Sequence, residues 1–174
     1  MSAELEQFCT LAKTQRGAAC AHLIVKAISH KNVFCFGEML DLPSIQTLKT
    51  EPEFSAHYNT LELFAYGKFS NYTDDPSKYI QLTDVQITKL RQLTLATLAA
   101  KSELLSYEFL MSELAMESVG SLQDLIVAAI YIDLVKGKLD QKNAVFKVSD
   151  YAARDVRPED IQGMISKLSA WYDM

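Results

Sequence analysis

Residues 121–141 read SLQDLIVAAIYIDLVKGKLDQ, an apolar helix that runs through a glycine into a short strand. Leu122, Leu125, Ile126, Ala129 and Ile130 recur at helical spacing, while Val127, Ile132 and Leu134 fill the other faces. A helix over residues 121–135 that is apolar nearly all round is expected to be enclosed by its domain. Ser121, with Asp124 three residues on, reads as its N-cap, and Gly137 as its end. Leu139, then Phe146 and Val148, alternate as two strands around the polar loop Gln141-Lys142-Asn143. Upstream, Tyr107 to Met116 forms a shorter helix with Leu110 and Leu114 on one face. Downstream, Pro158 opens a helix with the stripe Ile161, Met164, Ile165, Leu168 and Trp171. Helix, helix and hairpin in this order are the layout of a winged-helix module, a variant of the helix-turn-helix.

The chain before this module reads as helices. Its six glycines and four prolines are few enough that each marks a break. Leu5, Phe8 and Ala12 make one stripe, and Ala21, Ile24, Val25 and Ile28 make a second beyond Gly17. Phe34 to Leu40 is too short for a long helix and stops before Pro43. Phe54, Tyr58, Leu61, Phe64 and Ala65 form the next stripe, with Gly67 expected in the C-cap position. Asn71 to Ser77 is the most polar and turn-rich piece, expected to be a surface loop. Thr83 with Gln86 then makes a capping box for a helix carrying Ile87, Leu90, Thr94 and Leu98. Charge is sparse on it, so much of its surface should be buried. The expected fold is therefore mainly α: a helical-repeat-like bundle over 1–82, a winged-helix subdomain with a small antiparallel β-hairpin over 83–157, and a C-terminal helix over 158–174.

Composition narrows the function. The net charge of −5 and the pI near 5.2 disfavour a general nucleic-acid binder. The candidate recognition helix holds Asp124 and Asp133 and no Lys or Arg, so its acids would repel phosphate. Against that, Lys136, Lys138, Lys142, Lys147, Arg154 and Arg157 cluster around the hairpin, six bases against three acids, and could touch a backbone. Cys9, Cys20 and Cys35 lie in apolar-periodic stretches and read as reduced thiols of a core. No run approaches the ~18 apolar residues of a membrane span. The start, Met1-Ser2-Ala3-Glu4, is acidic and unlike a signal peptide, so the sequon Asn71-Tyr72-Thr73 is expected to be incidental.

Catalysis has no visible constellation. His22 and His30 lie two helical turns apart, too far to share a metal, and no Gly-rich phosphate loop or nucleophile elbow is present. A Cys–His nucleophile pair is the one arrangement that spacing leaves open. No cofactor is expected.

Several segments carry a resemblance. Leu122-Gln123-Asp124-Leu125-Ile126, followed by Gly137-Lys138-Leu139-Asp140-Gln141, is similar to the signature of the PCI-domain family, shared by the proteasome lid, the COP9 signalosome and a translation initiation factor. Phe36-Gly37-Glu38-Met39-Leu40-Asp41-Leu42-Pro43, Phe64-Ala65-Tyr66-Gly67 and Lys89-Leu90-Arg91-Gln92-Leu93-Thr94 resemble the signalosome branch, its animal form more than its plant form. The resemblance implies a non-catalytic scaffold of cytoplasm and nucleus. In such complexes PCI subunits stand side by side, their winged helices associating into a horseshoe, which would seat this chain beside subunit 4. The signalosome removes NEDD8 from cullin-RING ubiquitin ligases, and its metalloprotease is a different subunit. Members of the branch continue into a long C-terminal helix that joins a helical bundle of other subunits. This chain stops at Met174 with its apolar stripe still running, as a truncated piece would.

Contact residues follow from sheet physics. Unpaired strand edges invite another chain. That nominates Leu139, Val145, Lys147 and Ser149 on the hairpin, with Lys138 and Asp140 setting register. The end Trp171-Tyr172-Met174 is a second candidate, as a bundle anchor.

Overall fold

In the computed structural model, residues 3–172 are described; Met174, the last residue of the nominated C-terminal end, lies outside them, as does the Met1-Ser2 start. Helices α1 (Ala3–Thr14), α2 (Ala18–Ser29), α3 (Gly37–Leu40), α4 (Pro43–Gln46) and α5 (Ser55–Tyr66) build the N-terminal bundle. They close on Ile24, Ile28, Met39, Ile45, Leu48 and Leu61, with Phe36 meeting Phe64 edge-on at 6.0 Å. Helix α6 (Phe69–Asp74) follows, and then α7 (Asp84–Ala99). Thr83 and Gln86 form the expected capping box at its start. Leu90 and Leu93 of α7 belong to the first core, whereas Leu95, Ala96, Leu98 and Ala99 belong to a second. Because both cores press on this helix it is buried on nearly every side, as its sparse charge suggested.

The second core is the winged helix. It comprises β1 (Leu104–Ser106), α8 (Tyr107–Leu114), α9 (Val119–Tyr131), β2 (Val135–Asp140) and β3 (Val145–Tyr151). Leu105, Leu110, Leu114, Leu122, Ile126, Val135 and Phe146 fill it. The sheet is antiparallel in the order β1-β3-β2, so β3 is central. The helical bundle followed by a winged helix is as expected, but β1 was not. Three residues, Leu104-Leu105-Ser106, show no readable alternation, and pairing with β3 makes them a strand.

Several local expectations are corrected. The polar stretch after Asn71 is mostly helix, because the Asn71 side chain accepts the Lys68 N–H at 2.8 Å and Tyr72 packs near Phe69 and Tyr79. Gly67 is extended, with φ −83°; a Cβ there would sit 2.6 Å from Leu63 Cδ1. Close approach, not a left-handed cap, demands that glycine. Ser118 rather than Ser121 caps α9, and the turn after it uses Asp133 in the left-handed region at φ 56°. The helix therefore ends four residues early, and Val135 passes into β2. Gly137 sits inside that strand, where a Cβ would stand 2.2 Å from the Lys147 carbonyl oxygen. Nor is α9 enclosed: Val127, Ala128, Tyr131 and the following Ile132 face solvent. Cys9 and Cys20 are core residues, but Cys35 is exposed.

Candidate partner-binding surface

The outer face of the sheet is set by strand alternation. Val145 and Lys147 of β3 stand opposite Asp140 and Lys138 of β2 on one side, and opposite Ser106 and Leu104 of β1 on the other. Leu104, 61 % exposed, thus joins the nominated residues; it was missed because β1 was missed. Lys147 Nζ lies 2.8 Å from Asp140 Oδ2, and Asp140 also accepts the Asn143 backbone N–H at 3.1 Å. These bonds hold the Asp140 carboxyl down at about 2. Lys138 is directly across from Lys147, and among the described residues no carboxylate pairs with it.

The other nominees separate. Leu139 pairs with Phe146 and packs against the domain's own core, on the inner face. Ser149 is the extra residue of a β-bulge between the Lys136–Asp150 and Gly137–Val148 pairs. Trp171 and Tyr172 lie at the end of α10 (Pro158–Tyr172), 75 % and 87 % exposed. Ile161, Met164, Ile165 and Leu168 are exposed too, so the whole stripe faces solvent.

The segment leading into α10 returns to the bundle. The Arg154 guanidinium donates to the carbonyls of Phe64, Ala65 and Gly67 and to the Thr97 hydroxyl, at 2.7–3.0 Å. It caps the end of α5, and burial lowers its pKa to about 10. Asp155 beside it accepts the Phe36 N–H at the start of α3. These links span 57 to 119 residues of chain, which no sequence pattern shows.

This arrangement removes much of the basic cluster from nucleic-acid contact. Arg154 is committed to carbonyls, Arg157 lies between Glu62 and Glu159, and Lys136 pairs with Asp150. On α9 the exposed positions are Val119, Gly120, Ser121, Asp124, Val127, Ala128 and Tyr131, which include no Lys or Arg. Among the described residues, no cluster of three His, Cys, Asp or Glu side chains could hold a metal.

A bundle feeding a winged helix through one shared helix defines the class: residues 67–150 match the model of the PCI domain. Residues 6–37 match the CSN7 helical bundle subdomain. The chain is 43 % identical over 167 residues to COP9 signalosome complex subunit 7 of Dictyostelium discoideum, covering 96 % of the chain and 64 % of that protein. It is 42 % identical over 169 residues to that of Drosophila melanogaster, covering 97 % and 60 %. To subunit 7a of Mus musculus it is 38 % identical over 166 residues, covering 95 % and 60 %. By these matches the chain is similar to the COP9 signalosome subunit 7 proteins and to the PCI domain, and it spans less than two thirds of the length of these relatives.

Proposed function

We propose that this chain is a non-catalytic scaffold of the COP9 signalosome, in cytoplasm and nucleus, serving a complex that removes NEDD8 from cullin-RING ubiquitin ligases. The observation that carries the reading is α10: a helix whose apolar stripe, Ile161 to Trp171, is 48–75 % exposed. Such a stripe is stable in an assembly that covers it. In this reading α10 enters a helical bundle with other subunits. The outer sheet face, with Val145, Lys147, Lys138, Asp140 and Leu104, meets the winged helix of subunit 4. Lys138, lacking a carboxylate of its own, gives that face a charge for an acidic partner to match.

The test is to mix the chain with subunit 4 and measure mass by size exclusion with light scattering. A stoichiometric complex is expected. It should weaken when Lys147 and Asp140 are reversed together to Glu and Lys; unchanged association would sink the sheet assignment. If the full-length protein also forms no complex, with subunit 4 or with the bundle subunits, the scaffold reading is overturned.

A further inference from the structure

Where α2, α7 and α9 meet lies a cavity of about 390 Å³ that the scaffold reading does not use. Its apolar walls are Phe34, Val85, Ala128 and Ile132. The buried cation of its lining is Lys89, which is 5 % exposed. The Lys89 ammonium donates to the carbonyl oxygens of His30 at 2.7 Å and Ala27 at 3.4 Å, capping α2. It also stands 5.2 and 5.1 Å from the centres of the Phe34 and Phe36 rings. Among the described residues no carboxylate pairs with it. Buried charges are ordinarily paired with an opposite charge. An ammonium has three protons, and the two carbonyls take two.

We propose that this cavity binds a small apolar carboxylic acid, its carboxylate completing the Lys89 ammonium and its aliphatic chain lying against Phe34, Val85, Ala128 and Ile132. The volume falls within the range of small-molecule sites. The other charged or titratable groups lining it are His30 and Lys31 after α2, and Asp84 in the first turn of α7. Helix α9 contributes none. Lys31 offsets Asp84 at the mouth, which leaves Lys89 to set the sign of the ligand. Burial without an anion draws the Lys89 pKa down to about 7. A bound carboxylate raises it again, so affinity falls as pH climbs past ~7, about tenfold per unit once the lysine is mostly neutral.

The probe is hexanoate, titrated into the intact chain while the Val85 and Ile132 methyl resonances are followed by NMR. Saturable shifts are expected, with hexanol binding roughly tenfold more weakly because it carries no charge for the ammonium. Ala128→Phe fills the cavity from its exposed α9 side and should abolish the shifts without touching Lys89. Lys89→Met should abolish hexanoate binding; since it also strips the cap from α2, the hexanol comparison and Ala128→Phe decide the matter if that variant does not fold. Equal binding of acid and alcohol, no saturable shift, or full binding by Ala128→Phe would each overturn the proposal.

Discussion

Asp155 accepts the backbone N–H of Phe36 across 119 residues of chain, at 2.5 Å, and so ties the segment after the sheet to the first turn of α3. Its neighbour Arg154 does the same to the last turn of α5. The two adjacent residues fasten the end of the winged helix to two helix termini of the bundle, a positive group on carbonyls and a negative one on amides.

Arg154→Ala should therefore cost about 3 kcal/mol, because three buried carbonyls and Asp155 lose a charged partner together. For a chain of this size that is a fall in Tm of roughly 6–12 °C. Arg154→Lys keeps the charge and loses the fork, so it should fall in between. Asp155→Asn retains an acceptor oxygen and should cost less than Asp155→Ala. Thermal unfolding by circular dichroism separates these; an unchanged Tm for Arg154→Ala would show that the segment is merely resting on the bundle.

The hairpin turn should be acid-labile in a defined window. Asp140 has a folded pKa of about 2, below its ordinary value near 4. A depressed acid stabilises the fold above the ordinary value and loses that contribution as pH falls toward the folded one. Asp140→Asn should thus be less stable than the parent in urea at pH ~7 and converge with it only below pH ~2, as the folded-state carboxylate is protonated. A gap that persists at the acid end would assign the effect to packing instead of charge.

Two glycines should respond in opposite directions. A Cβ at Gly137 meets the Lys147 carbonyl oxygen at 2.2 Å and the Phe146 ring at 2.7 Å, so Gly137→Ala should cost about 3 kcal/mol. Gly163, inside α10, has nothing within 4 Å of that position. Gly163→Ala should raise the helix content of α10 and stabilise it by about 1 kcal/mol. Urea midpoints and far-ultraviolet ellipticity measure the pair.

The stripe of α10 should be silent in stability and loud in assembly. Ile165→Asp with Leu168→Asp removes apolar surface that is already in water, and should shift the unfolding free energy of the isolated chain by less than ~0.5 kcal/mol. The same pair should prevent retention by the helical-bundle subunits in a pull-down. A large loss of stability would mean that α10 packs on its own domain in solution.

The elements that a sequence can show are those whose partners lie close by in the chain. Thr83 and Gln86 cap each other at a separation of three, and the α10 stripe repeats within one helix, so both were legible. What escaped depends on distant residues. β1 is a strand because Val145, Phe146 and Lys147 pair with it, and Gly137 is required by a ring and a carbonyl from the neighbouring strand. The apolar surround of α9 suggested full burial, yet Val127 and Tyr131 face outward, since hydrophobicity by itself does not say which faces are covered. Among the nominated contact residues, Lys147 and Asp140 lie on an open face, while Leu139 turned inward because pairing with Phe146 fixes its side of the sheet.

That α7 supplies Leu90 and Leu93 to one core and Leu95 and Leu98 to the other has a consequence for how this protein can be divided. A cut after residue 82 would leave the bundle with an open wall and a buried set of side chains in water. The winged helix, for its part, would carry away half a core that it cannot cover. Nature and the experimenter face the same restriction: the pieces are not interchangeable parts, and a swap between relatives should succeed only when the rod travels with both of its neighbours. A load applied to the sheet would likewise reach the bundle through α7, whose side chains lie in both cores.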